Sequence, residues 1–85
     1  ITPEALEQIA KAEGVLRRLG FGQLRVRHHD NTARIEVRPE EFEKILTYRR
    51  SIVAALQVFG YTYVTLDLDG FRSGSMNEVL DTNGR

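Results

Sequence analysis

The sequence predicts an α+β fold of order α-β-β-α-β, a three-stranded mixed sheet with two helices packed on one face. Three observations predict it. Two segments carry apolar residues at three- and four-residue spacing, three shorter segments alternate apolar and polar residues, and capping or turn residues stand at the junctions. The 85 residues, 41% hydrophobic and 28% charged, suffice for one small core.

Thr2-Pro3 supplies an N-cap oxygen followed by proline at the first helical position, where its missing N–H is harmless. Leu6, Ile9, Ala12, Leu16 and Leu19 then form one apolar stripe, and Gly20 is placed to end the helix in a left-handed conformation, giving a helix over 3–19. From Gln23 the period changes to two. Leu24, Val26 and His28 point one way, Arg25, Arg27 and His29 the other. His29-Asp30-Asn31-Thr32 is turn chemistry, after which Ala33, Ile35 and Val37 alternate with Arg34, Glu36 and Arg38, so the pair reads as a β-hairpin.

Pro39 opens a second helix running to about 58, with Glu40, Glu41 and Glu43 near its positive end. Phe42, Ile45, Leu46, Ile52, Val53, Leu56 and Phe59 carry its apolar face, and Gly60 ends it. Tyr61–Leu68 is a third strand, with Val64, Leu66 and Leu68 on one side and Tyr63, Thr65 and Asp67 on the other. The strand–helix–strand crossover makes the second and third strands parallel. One domain is expected over 1–80, with a tail over 81–85.

Composition excludes several chemistries. With no cysteine there is no disulfide, thiolate metal site or cysteine nucleophile within these residues. No apolar run approaches the ~20 residues of a membrane span, so no membrane association is expected. The formal net charge of zero argues against nucleic acid as a partner. Because the chain starts at Ile1 and lacks a leader, it reads as a domain excised from a larger cytoplasmic protein.

Ten of the twelve basic residues are Arg, whose planar fork suits phosphate and carboxylate. Strand alternation gathers Arg25, Arg27, Arg34 and Arg38 on the face away from the helices, beside His29, Glu36, Tyr63, Thr65 and Asp67. A sheet face turned to water also accounts for polar residues there. The concentration of guanidinium groups favours an anion or acidic partner, because like charges on adjacent strands repel. Arg25 and Arg27 lie two apart and can reach one phosphate. Glu36 is most simply their ion-pair partner, with metal ligation the lesser reading. His28 and His29 point to opposite faces and do not chelate one ion. Glu13 lies off the apolar stripe and reads as a solvated charge. Gly70-Phe71-Arg72-Ser73-Gly74-Ser75 has the ingredients of an anion-binding nest, while Ser75 and Glu78 also fit a capping box. No Walker pattern is present.

The segments ITPEALEQIAKAEGVLRRLGF, LRVRHHDNTARIEV and YVTLDLDGFRSGSMNEVL resemble the carboxy-terminal part of the LarE family, ATP-dependent sacrificial sulfur transferases of the PP-loop superfamily. The resemblance implies a role in making the nickel-pincer nucleotide cofactor of lactate racemase, by converting a pyridinium dicarboxylate mononucleotide to its thiocarboxylate. It implies ATP and Mg2+ bound by an amino-terminal PP-loop domain, an upstream sulfur donor that is a sacrificial cysteine in one branch of the family and an iron–sulfur cluster held by cysteines in another, and a homo-oligomer. No catalytic residue is then expected within these residues. By position, the resemblance marks Arg25 and Arg27 as a substrate phosphate-binding pair, Glu36 as an acidic residue associated with metal, and Glu13 and Arg72 as further functional positions. A second acidic position of the family falls near Lys44. Apart from the resemblance, a non-catalytic α+β module whose Arg face binds an acidic protein or a phosphate-bearing ligand is the competing reading.

Overall fold

A computed structural model of the chain describes residues 1–72. The capping box at Ser75 and Glu78, the end of the glycine-rich nest and the tail at 81–85 lie outside the described residues. Within them the order is α1 (Pro3–Arg18), β1 (Leu24–His29), β2 (Thr32–Val37), a 3-10 turn (Pro39–Glu41), α2 (Phe42–Thr47), α3 (Arg49–Val58) and β3 (Tyr63–Leu66). The sheet order is β1-β2-β3, antiparallel between β1 and β2 and parallel between β2 and β3.

Local chemistry fixes the first helix as expected: Thr2 Oγ1 accepts the Ala5 N–H at 3.1 Å, and Pro3 takes the first turn. Its end and the end of α3 are built alike. Gly20 (φ 94°) and Gly60 (φ 108°) adopt the left-handed conformation. The N–H of each glycine bonds three residues back, to Arg17 and Gln57, and the next residue's N–H bonds five back, from Phe21 to Leu16 and from Tyr61 to Leu56. This double bond pattern turns the chain sharply and drives the two aromatic residues that follow, Phe21 and Tyr61, into the core.

The core joins Ala12 and Leu16 of α1, Leu24 and Val26 of β1, Ala33, Ile35 and Val37 of β2, and Ile45, Ile52 and Leu56 of α2 and α3. The helices thus cover the predicted face of the sheet. Several details differ from expectation, and Leu6, read as part of the first apolar stripe, is 54% exposed. The second helix is split at Tyr48 (φ −98°, ψ 14°), next to a Thr47 hydroxyl that donates to the Glu43 carbonyl at 3.0 Å; such back-bonding bends helices. Leu46, read as part of its apolar face, is 61% exposed. The third strand is shorter than Tyr61–Leu68, because Tyr61 belongs to the helix cap and Asp67 begins a turn in which its Oδ1 accepts the Asp69 N–H at 2.9 Å. Val64 and Leu66, expected beneath the helices, are accordingly only half-buried at this edge, and Leu68 is exposed. No helix among the described residues is long and apolar enough to cross a membrane.

Candidate functional site

The polar face is organised in transverse rows by strand register. Arg25 faces Glu36 across the β1–β2 ladder, with Asp67 directly after Leu66, the partner of Ile35, on β3. The next row is Arg27, Arg34 and Thr65, and the last is His29, Thr32 and Tyr63. The face predicted from alternation is therefore present, with Arg25, Arg27, Arg34 and Glu36 all on it.

One carboxylate organises it. Glu36 Oε2 accepts from Arg27 Nε at 3.3 Å and from Arg34 Nη2 at 3.2 Å, and Arg72 Nη2 approaches it to 3.8 Å. Glu36 is read from the sequence as displayed on an open face, yet it is 1% exposed, the buried charged residue among the described residues. Long guanidinium side chains lie over it and supply the hydrogen bonds that a buried carboxylate requires. Asp67 makes a second layer: its Oδ2 lies 3.5 Å from Arg34 Nε and 3.3 Å from Arg72 Nη2, while Asp69 Oδ2 accepts from Arg72 Nη1 at 3.0 Å. Arg72 thus returns from the loop after β3 and is clamped by aspartates flanking the turn. Asp67 and Asp69 had no signal beyond their presence next to a turn; strand alternation alone placed Asp67 on the correct face.

Arg25 stands apart. It is exposed and makes no ion pair or side-chain hydrogen bond with any described residue. Of the predicted phosphate-binding pair, Arg27 is held by Glu36 and Arg25 is open to a ligand.

Glu13 is not a solvated charge. Its side chain is 16% exposed, Oε2 accepts the Val26 N–H at 3.0 Å, and Oε1 lies 3.7 Å from Arg17 Nη2. Since β1 is an edge strand, this carboxylate occupies a backbone donor that would otherwise be open to strand pairing. Next to it, the Tyr61 hydroxyl and His28 Nδ1 are 2.9 Å apart. Burial pushes the Tyr61 phenol above its ordinary pKa, and the negative charge of Glu13 pushes it the same way. The sequence concealed this cluster because its residues come from a helix, a strand and a helix cap.

The described residues gather no ligand set for a metal ion. Glu36 is surrounded by cations, Glu13 is engaged by a backbone N–H and an arginine, and Lys44 stands over the ring of Phe21 at 4.8 Å. No group of three potential ligands occurs among the described residues.

No family model matches the chain. It is 46% identical over 82 residues to the uncharacterized protein slr1717 of Synechocystis, covering 94% of this chain and 31% of that protein. It is 44% identical over 80 residues to the pyridinium-3,5-bisthiocarboxylic acid mononucleotide synthase of Lactiplantibacillus plantarum, covering 94% of this chain and 29% of the synthase, in its carboxy-terminal part. The chain thus spans about three-tenths of the length of these relatives. Across almost its whole length, the arginine-bearing strands included, the chain is similar to the carboxy-terminal part of that synthase, a LarE protein.

Proposed function

We propose that this chain is the substrate-binding portion of an ATP-dependent sulfur transferase that converts a pyridinium dicarboxylate mononucleotide to its thiocarboxylate in nickel-pincer nucleotide cofactor synthesis. Its likeness to the synthase supports the pathway. The observation that carries the binding role is the open guanidinium of Arg25 beside an Arg27 already oriented by Glu36. Residues two apart on a strand project from one face about 7 Å apart, close enough for both forks to converge on one phosphate. The chemistry is assigned elsewhere: ATP and Mg2+ to an amino-terminal PP-loop domain, and the sulfur to a donor outside these residues. In this reading the domain comprises residues 1–80, works in the cytoplasm within a homo-oligomer, and is inactive alone.

The test uses a full-length protein containing this chain. Replacing Arg25 or Arg27 by Ala is expected to weaken use of the mononucleotide by about 1.5–3 kcal/mol, the range of a hydrogen bond to a charged group, while adenylating capacity remains. Sulfur transfer at the wild-type rate and affinity in the double variant would return the Arg face to the competing reading, an interface for an acidic partner.

A further inference from the structure

The charges on the polar face are unevenly spread along the strands. The row of Arg25 holds two carboxylates, Glu36 and Asp67, and receives Arg72 from the loop. The next row holds Arg27 and Arg34 directly opposite one another with Thr65 beside them, and no acid. Like charges facing each other across a ladder are destabilising unless neutralised. Here both lean towards the same oxygen, Glu36 Oε2; Arg34 also has Asp67 Oδ2 at 3.5 Å from its Nε, whereas Glu36 is the carboxylate that Arg27 meets among the described residues.

This arrangement leaves donors over. Arg27 reaches Glu36 through Nε, and its Nη1 and Nη2 donate to no described residue. Arg34 spends Nη2 on Glu36 and Nε on Asp67, and its Nη1 donates to none. These two arginines also line a concavity of about 430 Å³ with His28, His29, Thr32 and Thr65, whose lining does not include Glu36. Its lining contains no carboxylate; besides the two guanidinium groups it offers the His29 imidazole and the Thr32 hydroxyl, while Thr65 Oγ1 donates to the Ala33 carbonyl at 3.4 Å and His28 Nδ1 lies 2.9 Å from the Tyr61 hydroxyl. Arg27 and Arg34 are both anchored from behind by the same buried carboxylate, so their forks are pre-positioned rather than free to sweep through solvent.

We propose that this concavity, at the hairpin end of the sheet, is an oxyanion subsite distinct from the Arg25 end, taking a phosphate monoester or a carboxylate on Arg27 and Arg34 with support from Thr32 and His29. The inference stands on register, donor inventory and lining, and does not depend on the sulfur-transfer reading. A bound oxyanion accepts from the Arg27 and Arg34 donors that meet no described residue.

The experiment is an amide-shift titration of the ¹⁵N-labelled chain with inorganic phosphate and, separately, with sodium acetate, at neutral pH and constant ionic strength held with chloride. Saturable shifts at the amides of His29, Thr32, Arg34 and Thr65 are expected. Response to phosphate alone supports a subsite for phosphate monoesters, to acetate alone one for carboxylates, and to both one for oxyanions generally. Arg34→Gln is expected to weaken this response about ten-fold or more, and Arg50→Gln, which removes an exposed charge on α3 away from the polar face, to leave it within about two-fold. Arg34→Lys keeps the charge beside Asp67 but removes the fork, and a similar loss is expected, which secures the test if the glutamine variant folds poorly. Shifts confined to Arg25 and Arg72, shifts no larger than chloride produces, or an Arg34→Lys affinity equal to wild type would each overturn the proposal.

Discussion

Ile35 and Glu36 are neighbours on β2, and each is 1% exposed, yet they are buried by opposite means. Ile35 lies on the helix face, among Leu16, Val26, Ile52 and Leu56, where apolar surface is withdrawn from water. Glu36 points the other way and is covered by Arg27, Arg34 and Arg72, whose own heads remain partly in solvent. One face of the sheet is closed by packing, which is insensitive to salt. The other is closed by charge, and its cover consists of the groups that meet a ligand. Binding at the second face therefore acts on groups already engaged in the structure, whereas the first is scaffold.

The sharpest separation comes from truncating one residue on each side. Ile35→Ala is expected to destabilise the fold by about 2–5 kcal/mol, through lost transfer energy and a residual cavity, with the loss unchanged between low and high salt. Glu36→Gln keeps the shape but leaves three guanidinium groups without their shared anion, and about 1–3 kcal/mol is expected. Added salt screens the remaining repulsion, so the glutamine variant should recover part of its deficit where the alanine variant does not. Denaturant unfolding at two salt concentrations measures both. Equal salt dependence of the two variants would erase the distinction between the faces.

The helix face was legible because its signals are local. Residues three and four apart in Leu16–Leu19 and Leu56–Phe59, followed by Gly20 and Gly60, specify both helix ends without knowledge of the rest of the chain. Alternation likewise assigned the residues of β1, and those of β2 from Ala33 onward, to their sides, while Thr32 was read as part of the turn. What alternation lacks is depth: it separates Glu36 from Ile35 but says nothing of the arginine side chains that fold over Glu36. The Glu13 contact with Val26 and the approach of Tyr61 to His28 join residues 13 and 33 positions apart, set by how α1 and the α3 cap meet β1. The family resemblance marked Glu13, Arg25, Arg27, Glu36 and Arg72 as functional positions, and the structure brings Arg27, Glu36 and Arg72 into one cluster. Arg25 lies beside that cluster without a bond, and Glu13 lies at the β1 edge.

Tyr61 tests the region where the two modes meet, since its ring is in the core and its hydroxyl meets His28. Tyr61→Phe removes one hydrogen bond and is expected to cost about 0.5–1.5 kcal/mol near neutral pH. Its effect should also depend on pH. The folded phenol holds its proton more tightly than the unfolded one, so its contribution is fully present below the ordinary value of 10.0 and is lost as pH rises from there through the folded value. The phenylalanine variant has no such proton. The stability gap between the two proteins should narrow in strongly alkaline solution, and a constant gap across that window would show that the phenol is not held as its burial and the Glu13 charge require.

The smallest expected effect on folding belongs to Arg25, and its smallness carries the most functional weight. Arg25 shares a strand face with Arg27 and sits opposite Glu36, so proximity alone would assign it to the network. The bonds run otherwise: Glu36 is engaged by Arg27, Arg34 and Arg72, and Arg25 makes none. Arg25→Ala should therefore change unfolding free energy by no more than about 0.5 kcal/mol, as for surface positions away from such features. Arg27→Ala removes one of the guanidinium groups covering Glu36 and should cost measurably more. Thermal unfolding of both variants beside substrate affinity in the full-length protein separates the roles, with loss of binding at both positions but loss of stability at Arg27 alone. If Arg25→Ala destabilised the fold as much as Arg27→Ala, the arginine would be part of the cover over Glu36, and the open guanidinium on which the phosphate-binding reading rests would not exist.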